Sequence, residues 1–217
     1  MNFQTIILQL GQGMLVTVEI FFLTLLFSLP LGLLVAFGRM SKNVLLKGIS
    51  KIYISIMRGT PLMLQLIVVY FGPYYLFGTN LKGYRFPAII IAFAVNYAAY
   101  FAEIYRGGIE SMPVGQYEAA EVLGYTGGQT FGKIILPQMV KRVLPSVTNE
   151  VITLVKDTSL ASVIGTVEMF TRAKQIVASP NTPGMLALAA AGLFYYVFNY
   201  IVAFAMERAE RSLAYYQ

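Results

Sequence analysis

The sequence contains no cysteine and no histidine among its 217 residues, and charged residues make up only 12% of it. Without cysteine the chain forms no disulfide and offers no thiolate ligand to a metal ion. Without histidine it lacks the most common general base and the usual nitrogen ligand of zinc. Soluble domains carry about 25% charged residues, so half of the expected charge is missing. These absences exclude a soluble globular domain, a disulfide framework and histidine-based catalysis.

Long apolar runs take the place of the missing charge. Hydrophobic residues make up 57% of the chain, and the mean hydropathy is +0.66. Because a bilayer core needs about 20 mostly apolar residues per helix, we expect an all-α polytopic membrane protein, folded as a single transmembrane domain over residues 1–217. About five transmembrane helices are predicted, at roughly 13–37, 52–77, 86–105, 143–166 and 184–206. The fourth is interrupted by charged residues, and the fifth follows a loop marked by Pro180 and Pro183.

The beginning of the chain has two interpretations. It lacks the basic segment and small-residue cleavage site of a signal peptide, so the first span is expected to be retained. Residues 2–12 form either a short amphipathic helix on the outer surface or an extension of the first span.

Basic residues predict the orientation of the chain in the membrane. Of the 16 Lys and Arg residues, eleven flank the predicted inner ends of the spans and four, Lys82, Arg85, Arg172 and Lys174, lie at the other ends. Cytoplasmic loops carry the excess of basic residues, so the N-terminus is expected outside and the C-terminus in the cytoplasm. The net charge of +6 is then a property of these loops rather than a sign of nucleic-acid binding.

A long polar segment, roughly 107–141, separates the third and fourth spans. Gly115–Gly124 has good helix formers and a terminal glycine, which predicts a short helix. Gln129–Ile135 predicts a second short helix, ended by Pro137. Two short helices at a membrane surface indicate a docking element, whereas the alternative is a solvated loop.

The same segment resembles the E-A-A-x(3)-G-x(9)-I-x-L-P loop of ABC importer permeases, with every spacing kept. In that family the loop sits in a cleft of the ATP-binding subunit, and the resemblance therefore implies coupling roles for Glu118, Ala119, Ala120, Gly124, Ile134, Leu136 and Pro137. Further stretches, Arg58-Gly-Thr-Pro-Leu and Lys156-Asp-Thr-Ser-Leu-Ala-Ser-Val-Ile-Gly165 among them, look like polar amino-acid uptake permeases of the type I importer fold.

The resemblance implies a set of partners. These are two ATP-binding subunits, a second permease chain that is either identical or related, an extracytoplasmic amino-acid-binding protein, the amino-acid substrate and the lipid bilayer of a bacterial or archaeal cell (inner) membrane, with no nucleic acid. ATP and magnesium are expected on the partner ATPase, with no cofactor and no metal in this chain.

One run in the loop is similar to the start of a phosphate-binding loop, Gly127-Gly-Gln-Thr-Phe-Gly132-Lys133. The next residue is Ile134, where such a loop needs Ser or Thr to reach magnesium. We therefore expect no nucleotide site here.

Polar residues within the predicted spans are the candidate substrate-binding residues, because ionisable groups in a membrane are costly and usually functional. Asn96, Tyr100 and Glu103 share one face of the third span, and Glu150 and Asp157 share one face of the fourth. Ser159 follows within the quoted motif. Because the ionisable candidates are acidic, they favour a basic amino acid (arginine, lysine or histidine), while glutamine and recognition of the common α-ammonium group stay open.

Each candidate also has a structural alternative. Glu103 can pair with Arg106, Asp157 with Lys156 or with the following Thr-Ser turn, and Asn96 can serve as an interhelical hydrogen-bond residue. Arg58 is interpreted as a residue near the cytoplasmic end of the second span that either snorkels or holds the following Gly-Thr-Pro turn. Two other classes of function have less support in the sequence. An ion-coupled secondary transporter usually has inverted repeats, which we do not find, and a membrane enzyme would need a catalytic pair that no motif supports.

Overall fold

A computed structural model describes residues 2–179 and 184–213 of the chain. This part is built from helices, with no strand among the described residues, and the predicted all-α polytopic fold is confirmed. The helices are α1 (Phe3–Met40), α2 (Val44–Gly59), α3 (Leu62–Phe77), α4 (Arg85–Glu110), α5 (Val114–Val122), α6 (Gly127–Thr130), α7 (Leu136–Asp157), α8 (Met169–Ala178) and α9 (Gly184–Ser212). Pro180 and Pro183, predicted to mark a loop, lie outside the described residues.

Helix α1 extends further toward the N-terminus than the predicted span of 13–37. It is continuous from Phe3 to Met40, so residues 3–12 extend the span and do not form a separate surface helix. Ile6 and Leu10 are fully buried and pack with Met169 of α8 and Ala187 of α9. Burial of this apolar stripe stabilises the added turns, since a helix gains most of its stability from packing.

The predicted second span, 52–77, is two helices rather than one. The chain bends by 109° between α2 and α3. Pro61 has no N–H to continue the helix, and it pushes the residue before it out of the helical region. Thr60 accordingly takes an extended conformation, with φ −123° and ψ 147°. The hydropathy of residues 52–77 does not reveal this break, because the helices on both sides of it are apolar.

Helix α4 lies at the centre of the bundle and packs against α1, α2, α3 and α7. Its Phe93 and Phe101 side chains are fully buried. Gly32 of α1 permits the closest approach, because a Cβ at that position would lie 2.8 Å from the Phe101 Cβ. Three helices, α1, α4 and α9, are long and apolar enough to cross a membrane by themselves, and a fourth crossing is added if α2 and α3 are one broken span.

The polar segment between α4 and α7 contains two short helices, α5 and α6. The second does not end at Pro137 as predicted, because α6 continues through a π-helical turn, Phe131–Ile135, directly into α7. Pro137 stands in the first turn of α7, where the missing N–H of proline is tolerated. The two outer parts of the predicted loop, 107–110 and 136–141, therefore belong to α4 and α7.

The predicted fourth span, 143–166, also differs from the structure. Helix α7 ends at Asp157, and a 3₁₀-helix, Thr158–Ile164, follows and stops at Gly165 with φ +75°. The Thr158 hydroxyl donates to the Val155 carbonyl and the Ser159 hydroxyl to the Lys156 carbonyl. Such local hydrogen bonds compete with regular helix geometry, which explains why the α-helix ends here.

Candidate functional site: a polar passage and a coupling surface

The bend between α2 and α3 is held against α4 by Asn96. This side chain is 4% exposed, and its amide donates to the Met57 carbonyl at 3.0 Å and to Gln65 Oε1 at 2.9 Å. Gln65 in turn donates to Thr60 Oγ1 at 2.8 Å and to the Met57 carbonyl at 3.0 Å. Both amide hydrogens of Asn96 are thus used within the protein. Asn96 is therefore an interhelical hydrogen-bond residue, the structural alternative given above, and its amide has no free donor for a substrate.

Arg58 and Tyr100 meet just before this bend. The guanidinium carbon of Arg58 lies 5.3 Å from the centroid of the Tyr100 ring, within the range of a cation–π contact. Arg58 is exposed. Tyr100 stands on α4, so this contact joins the bend to α4, and the placement of Arg58 near the cytoplasmic side of the membrane stays a prediction.

Asp157 is linked to α4 by a residue that the sequence did not single out. The Tyr97 hydroxyl donates to Asp157 Oδ2 at 2.7 Å. Asp157 makes no side-chain hydrogen bond that caps the following turn. Lys156 is exposed and forms no ion pair within the described chain, although its charge acts on Asp157. Tyr97 is one helical position beyond Asn96, and only the packing of α4 on α7 brings it to Asp157.

Glu150 lies on α7, seven residues before Asp157, which corresponds to roughly 10 Å along the helix. It is half-buried, and it makes no hydrogen bond or ion pair with any residue in 2–179 or 184–213. The charges of Arg58 and Asp157 both act on it. A carboxylate in this position is available to a ligand.

Glu103, by contrast, has its oxygens occupied. Arg106 Nη2 lies 2.7 Å from Glu103 Oε2, and Arg39 Nε lies 3.9 Å from Oε1. Arg106 also pairs with Glu110 one turn further along. The i, i+3 pair foreseen as the alternative for Glu103 is therefore present, as part of a cluster that joins the end of α1 to the end of α4.

One face of α7 is polar and exposed along its length. Arg142, Ser146, Asn149 and Lys156 are exposed and spaced by three to seven residues, whereas Val143, Val147, Val151 and Leu154 on the other side are buried. Lipid does not solvate such a face, because polar groups within a membrane require water or protein partners. Helix α7 is not among the helices that are long and apolar enough to cross a membrane by themselves, and its exposed polar face needs water or protein as a neighbour.

The predicted coupling residues form a separate, exposed surface. Glu118 and Ala119 are exposed on α5 while Ala120 is buried beneath them. Gly124 ends the helix with φ +76°, a conformation that other residues rarely adopt. Val122 and Leu123 beside it are 87% and 71% exposed. Ile134 and Leu136 are partly buried against the core and Pro137 is exposed, so the second half of the motif mainly anchors this surface.

Comparison with known proteins supports a common origin over most of the chain. Residues 28–215 match the family described as "Binding-protein-dependent transport system inner membrane component". A putative glutamine transport system permease protein of Rickettsia bellii is 35% identical over 98% of this chain and 96% of its own. An L-cystine transport system permease protein of Bacillus subtilis is 36% identical over 94% and 86%, and an arginine transport system permease protein of the same species is 37% identical over 93% and 91%.

Solved structures show the same fold. The crystal structure of an amino acid ABC transporter with histidines superposes with a TM-score of 0.86 and 31% identity over 98% of this chain and 99% of that one. An inward-facing methionine ABC transporter superposes with a TM-score of 0.74 over 99% of this chain and 100% of that one, but at 19% identity it supports the fold alone.

Proposed function

Because the chain belongs to the family of binding-protein-dependent transport system inner membrane components and is the permease of an amino-acid ABC importer, we propose that it carries a polar, basic amino acid across the membrane. The substrate would be arginine, lysine or histidine, passing between α4 and α7. Glu150 is the observation that carries this proposal, as a half-buried carboxylate without a protein partner among the described residues.

The residues around Glu150 suit an amino acid with a cationic side chain. A positively charged side chain that enters this site would satisfy Glu150 and Asp157 by charge-assisted hydrogen bonds, the stronger kind. Arg58 supplies a guanidinium for the substrate carboxylate, and it is already exposed at the bend. Tyr100 holds that guanidinium through its ring. In this arrangement Asn96 positions the bend, Glu103 belongs to the ion-pair cluster, and Ser159 stays a minor candidate because its hydroxyl donates to the Lys156 carbonyl.

Glutamine is the alternative substrate, and it has support from a relative named as a glutamine permease. Carboxylates also accept hydrogen bonds from an amide or from the α-ammonium group that every amino acid carries. An ion-coupled carrier binds no ATPase, so the exposed coupling surface would have no partner. No structural observation favours such a carrier.

A second permease chain is part of the proposal. The exposed polar side chains of α7 need water or protein as neighbours instead of lipid, and few helices of this chain lie against that face. Two chains related by a two-fold axis would place their α7 faces opposite each other and enclose the passage. The partner is either a copy of this chain or a related one.

Transport would be driven through α5. Two partner ATPases, which bind ATP and magnesium, would each receive one α5 surface, with Glu118 at its centre and Val122 and Leu123 in an apolar contact. Closure of the ATPases would bring the two surfaces together and open the passage toward the substrate-loaded binding protein by rigid-body movement.

Uptake by proteoliposomes containing the permease, its ATPases and the binding protein tests the proposal. We expect ATP-dependent uptake of arginine that exceeds uptake of glutamine, and no uptake with a non-hydrolysable ATP analogue inside. Uptake driven by an ion gradient without ATP would contradict the importer, whereas ATP-dependent uptake of glutamine alone would contradict only the basic substrate.

A further inference from the structure

A buried carboxylate that the transport proposal does not use stands at the start of α8. Glu168 is 0% exposed, and its side chain caps this helix. Its Oε2 accepts hydrogen bonds from the Phe170 N–H at 2.6 Å and from the Tyr195 hydroxyl at 3.1 Å. Its Oε1 accepts from the N–H and the hydroxyl of Thr171, at 2.8 and 2.9 Å. These donors and the N-terminus of a helix satisfy a carboxylate in a buried position, so Glu168 is a fixed part of the structure.

Tyr195 extends this arrangement to two other parts of the chain. It stands on α9, and its hydroxyl interacts with the side chains of Thr17 and Thr158 as well as with Glu168. Thr17, Thr158 and Glu168 are all 0% exposed. One tyrosine hydroxyl thus joins α1, α8 and α9 to the first residue of the 3₁₀-helix. We call Thr17, Thr158, Glu168 and Tyr195 the buried polar cluster.

The backbones of α1 and α8 come close together beside the buried polar cluster. The Met169 N–H donates to Thr17 Oγ1 at 3.3 Å, and a Cβ added to Gly13 would lie 2.7 Å from the Met169 Cα. Close-packed contacts of this kind leave little room for a shift. Loss of one polar partner would leave another buried group unpaired, which is costly. The cluster is therefore a rigid anchor.

This anchor reaches a candidate substrate residue through Thr158. Asp157 directly precedes Thr158, at the junction of α7 and the 3₁₀-helix. The Asp157 carboxylate accepts the hydrogen bond from Tyr97 on α4 at 2.7 Å. Asp157 is thus fixed in two ways, by a bond from α4 to its side chain and by the anchored backbone that follows it.

We propose that Tyr195 and Glu168 are positioning residues for substrate recognition, which fix the 3₁₀-helix through Thr158 and thereby hold the Asp157 carboxylate at the passage. The inference rests on the proposed function, because it takes Asp157 as a contact of the substrate side chain. A binding group that is ordered before the substrate arrives gives a higher affinity, since binding then loses less conformational freedom. The buried polar cluster therefore contributes to the affinity for a basic amino acid without touching it.

Amide hydrogen exchange of the complete transporter in nanodiscs tests the anchor. Tyr195→Phe removes the hydroxyl and keeps the ring, and Tyr196→Phe, its exposed neighbour on α9, is the matched control. We expect exchange in residues 158–164 to accelerate about fivefold or more in Tyr195→Phe, because local opening no longer breaks this hydrogen bond. Glu168→Gln should act in the same direction, since an amide has one accepting oxygen where the carboxylate has two. Exchange in α5 should not change in any of these variants.

Binding of labelled arginine tests the consequence for the substrate. The measurement uses the permease with its ATPases in nanodiscs, without binding protein, so that the Kd reports on the permease itself. We expect Tyr195→Phe to raise the Kd for arginine about fivefold, whereas Tyr196→Phe keeps the wild-type value. Competition by glutamine should weaken less, because a neutral amide depends less on the Asp157 carboxylate. Equal weakening for the two amino acids would overturn the positioning role.

A double-mutant cycle separates positioning from general stabilisation. If Tyr195 acts through Asp157, Tyr195→Phe should raise the arginine Kd much less in an Asp157→Asn background than in the wild type. The same factor in both backgrounds would make Tyr195 a structural residue only, and the inference would be wrong.

Thr17 supplies a second variant pair should Tyr195→Phe fail to assemble. Thr17→Val removes a hydroxyl of the buried polar cluster with little change of shape, and Thr17→Ser keeps that hydroxyl. The valine variant should show the faster exchange and the higher arginine Kd, and the serine variant should stay close to the wild type. Wild-type exchange and Kd in Thr17→Val would overturn the anchor.

The wild type distinguishes failure of the inference from failure of the proposed function. If the wild type does not bind arginine, the basic substrate itself is wrong, and hydrogen exchange still decides whether the cluster anchors the 3₁₀-helix. If the wild type binds arginine and Tyr195→Phe matches it in both Kd and exchange, only the positioning role fails.

Discussion

The Tyr97 hydroxyl on α4 lies 2.7 Å from Asp157 Oδ2 at the end of α7. This hydrogen bond joins the central helix of the bundle to the point where α7 gives way to a 3₁₀-helix. It also leaves one carboxylate oxygen of Asp157 for another donor. Tyr97 is therefore a positioning residue for a candidate substrate group.

Replacing Tyr97 by phenylalanine tests this role. Loss of a hydrogen bond to a charged partner costs about 1.5–3 kcal/mol, and each kcal/mol corresponds to about 2–4 °C in a chain of this size. We expect Tyr97→Phe to lower the Tm of the purified transporter by several degrees. Tyr100→Phe is the matched control, since its ring contact with Arg58 survives the change. An equal Tm for the two variants would contradict the link between α4 and α7.

Glu150→Gln tests the substrate proposal. The variant should lose most of its arginine transport and little of its glutamine transport, because a charge-assisted hydrogen bond contributes about 1.5–3 kcal/mol and a neutral one about 1. The expected loss for arginine is about tenfold or more by the relation of 1.4 kcal/mol to a factor of ten. Uptake of both amino acids, measured side by side at matched protein levels, gives the answer.

Two results would revise that interpretation of Glu150. An equal loss for arginine and glutamine would indicate contact with the shared α-ammonium group. No loss for either would remove Glu150 from the passage. Asp157→Asn should resemble Glu150→Gln, unless the bond from Tyr97 makes Asp157 mainly structural, in which case all substrates are lost together with assembly.

The coupling surface predicts a variant that assembles in the membrane but does not use ATP. Glu118→Lys reverses an exposed charge on α5, and Gly124→Asp places a side chain at φ +76°, which only glycine adopts easily. Each should abolish ATP-driven uptake while membrane insertion stays normal. Glu207→Lys, an exposed charge reversal on α9, is the control. Normal uptake and normal ATPase association in both α5 variants would refute the coupling role.

The absence of native cysteine allows a direct test of orientation. A single cysteine at position 82 or 174 should react with an impermeant thiol reagent added outside intact cells. A cysteine at position 43 or 128 should react only after the cytoplasmic side is opened. The reverse labelling pattern would overturn the predicted placement of the N-terminus outside and the C-terminus in the cytoplasm.

Local residue chemistry predicted some of this structure well. Gly124 marks the end of α5 because glycine is the residue that tolerates the left-handed conformation there. At this helix end the structure depends on a few neighbouring residues.

Other features depend on contacts that no local pattern contains. Thr60-Pro61 is a visible signal for a break, but the 109° angle is held by Asn96 and Gln65, which lie far apart in sequence. The contact of Arg58 with Tyr100 follows only once that angle is known. Likewise Tyr97 has no sequence feature that distinguishes it from the other 14 tyrosines, and the partner of its hydroxyl is set by helix packing.

The continuity of α6, the π-helical turn and α7 has a mechanical consequence. From Gly127 to Asp157 the backbone is continuously helical, a stretch of 31 residues and about 45 Å at 1.5 Å per residue, with Pro145 inside it. Glu150 and Asp157 stand near its far end, and the chain that leaves the coupling surface forms its near end. Near its middle, Val143 packs closely on Gly108 of α4, because a Cβ added to Gly108 would come within 2.2 Å of Val143 Cγ1. A displacement of the near end would therefore be passed along one continuous helix, past the contact of Val143 with Gly108, to the two carboxylates.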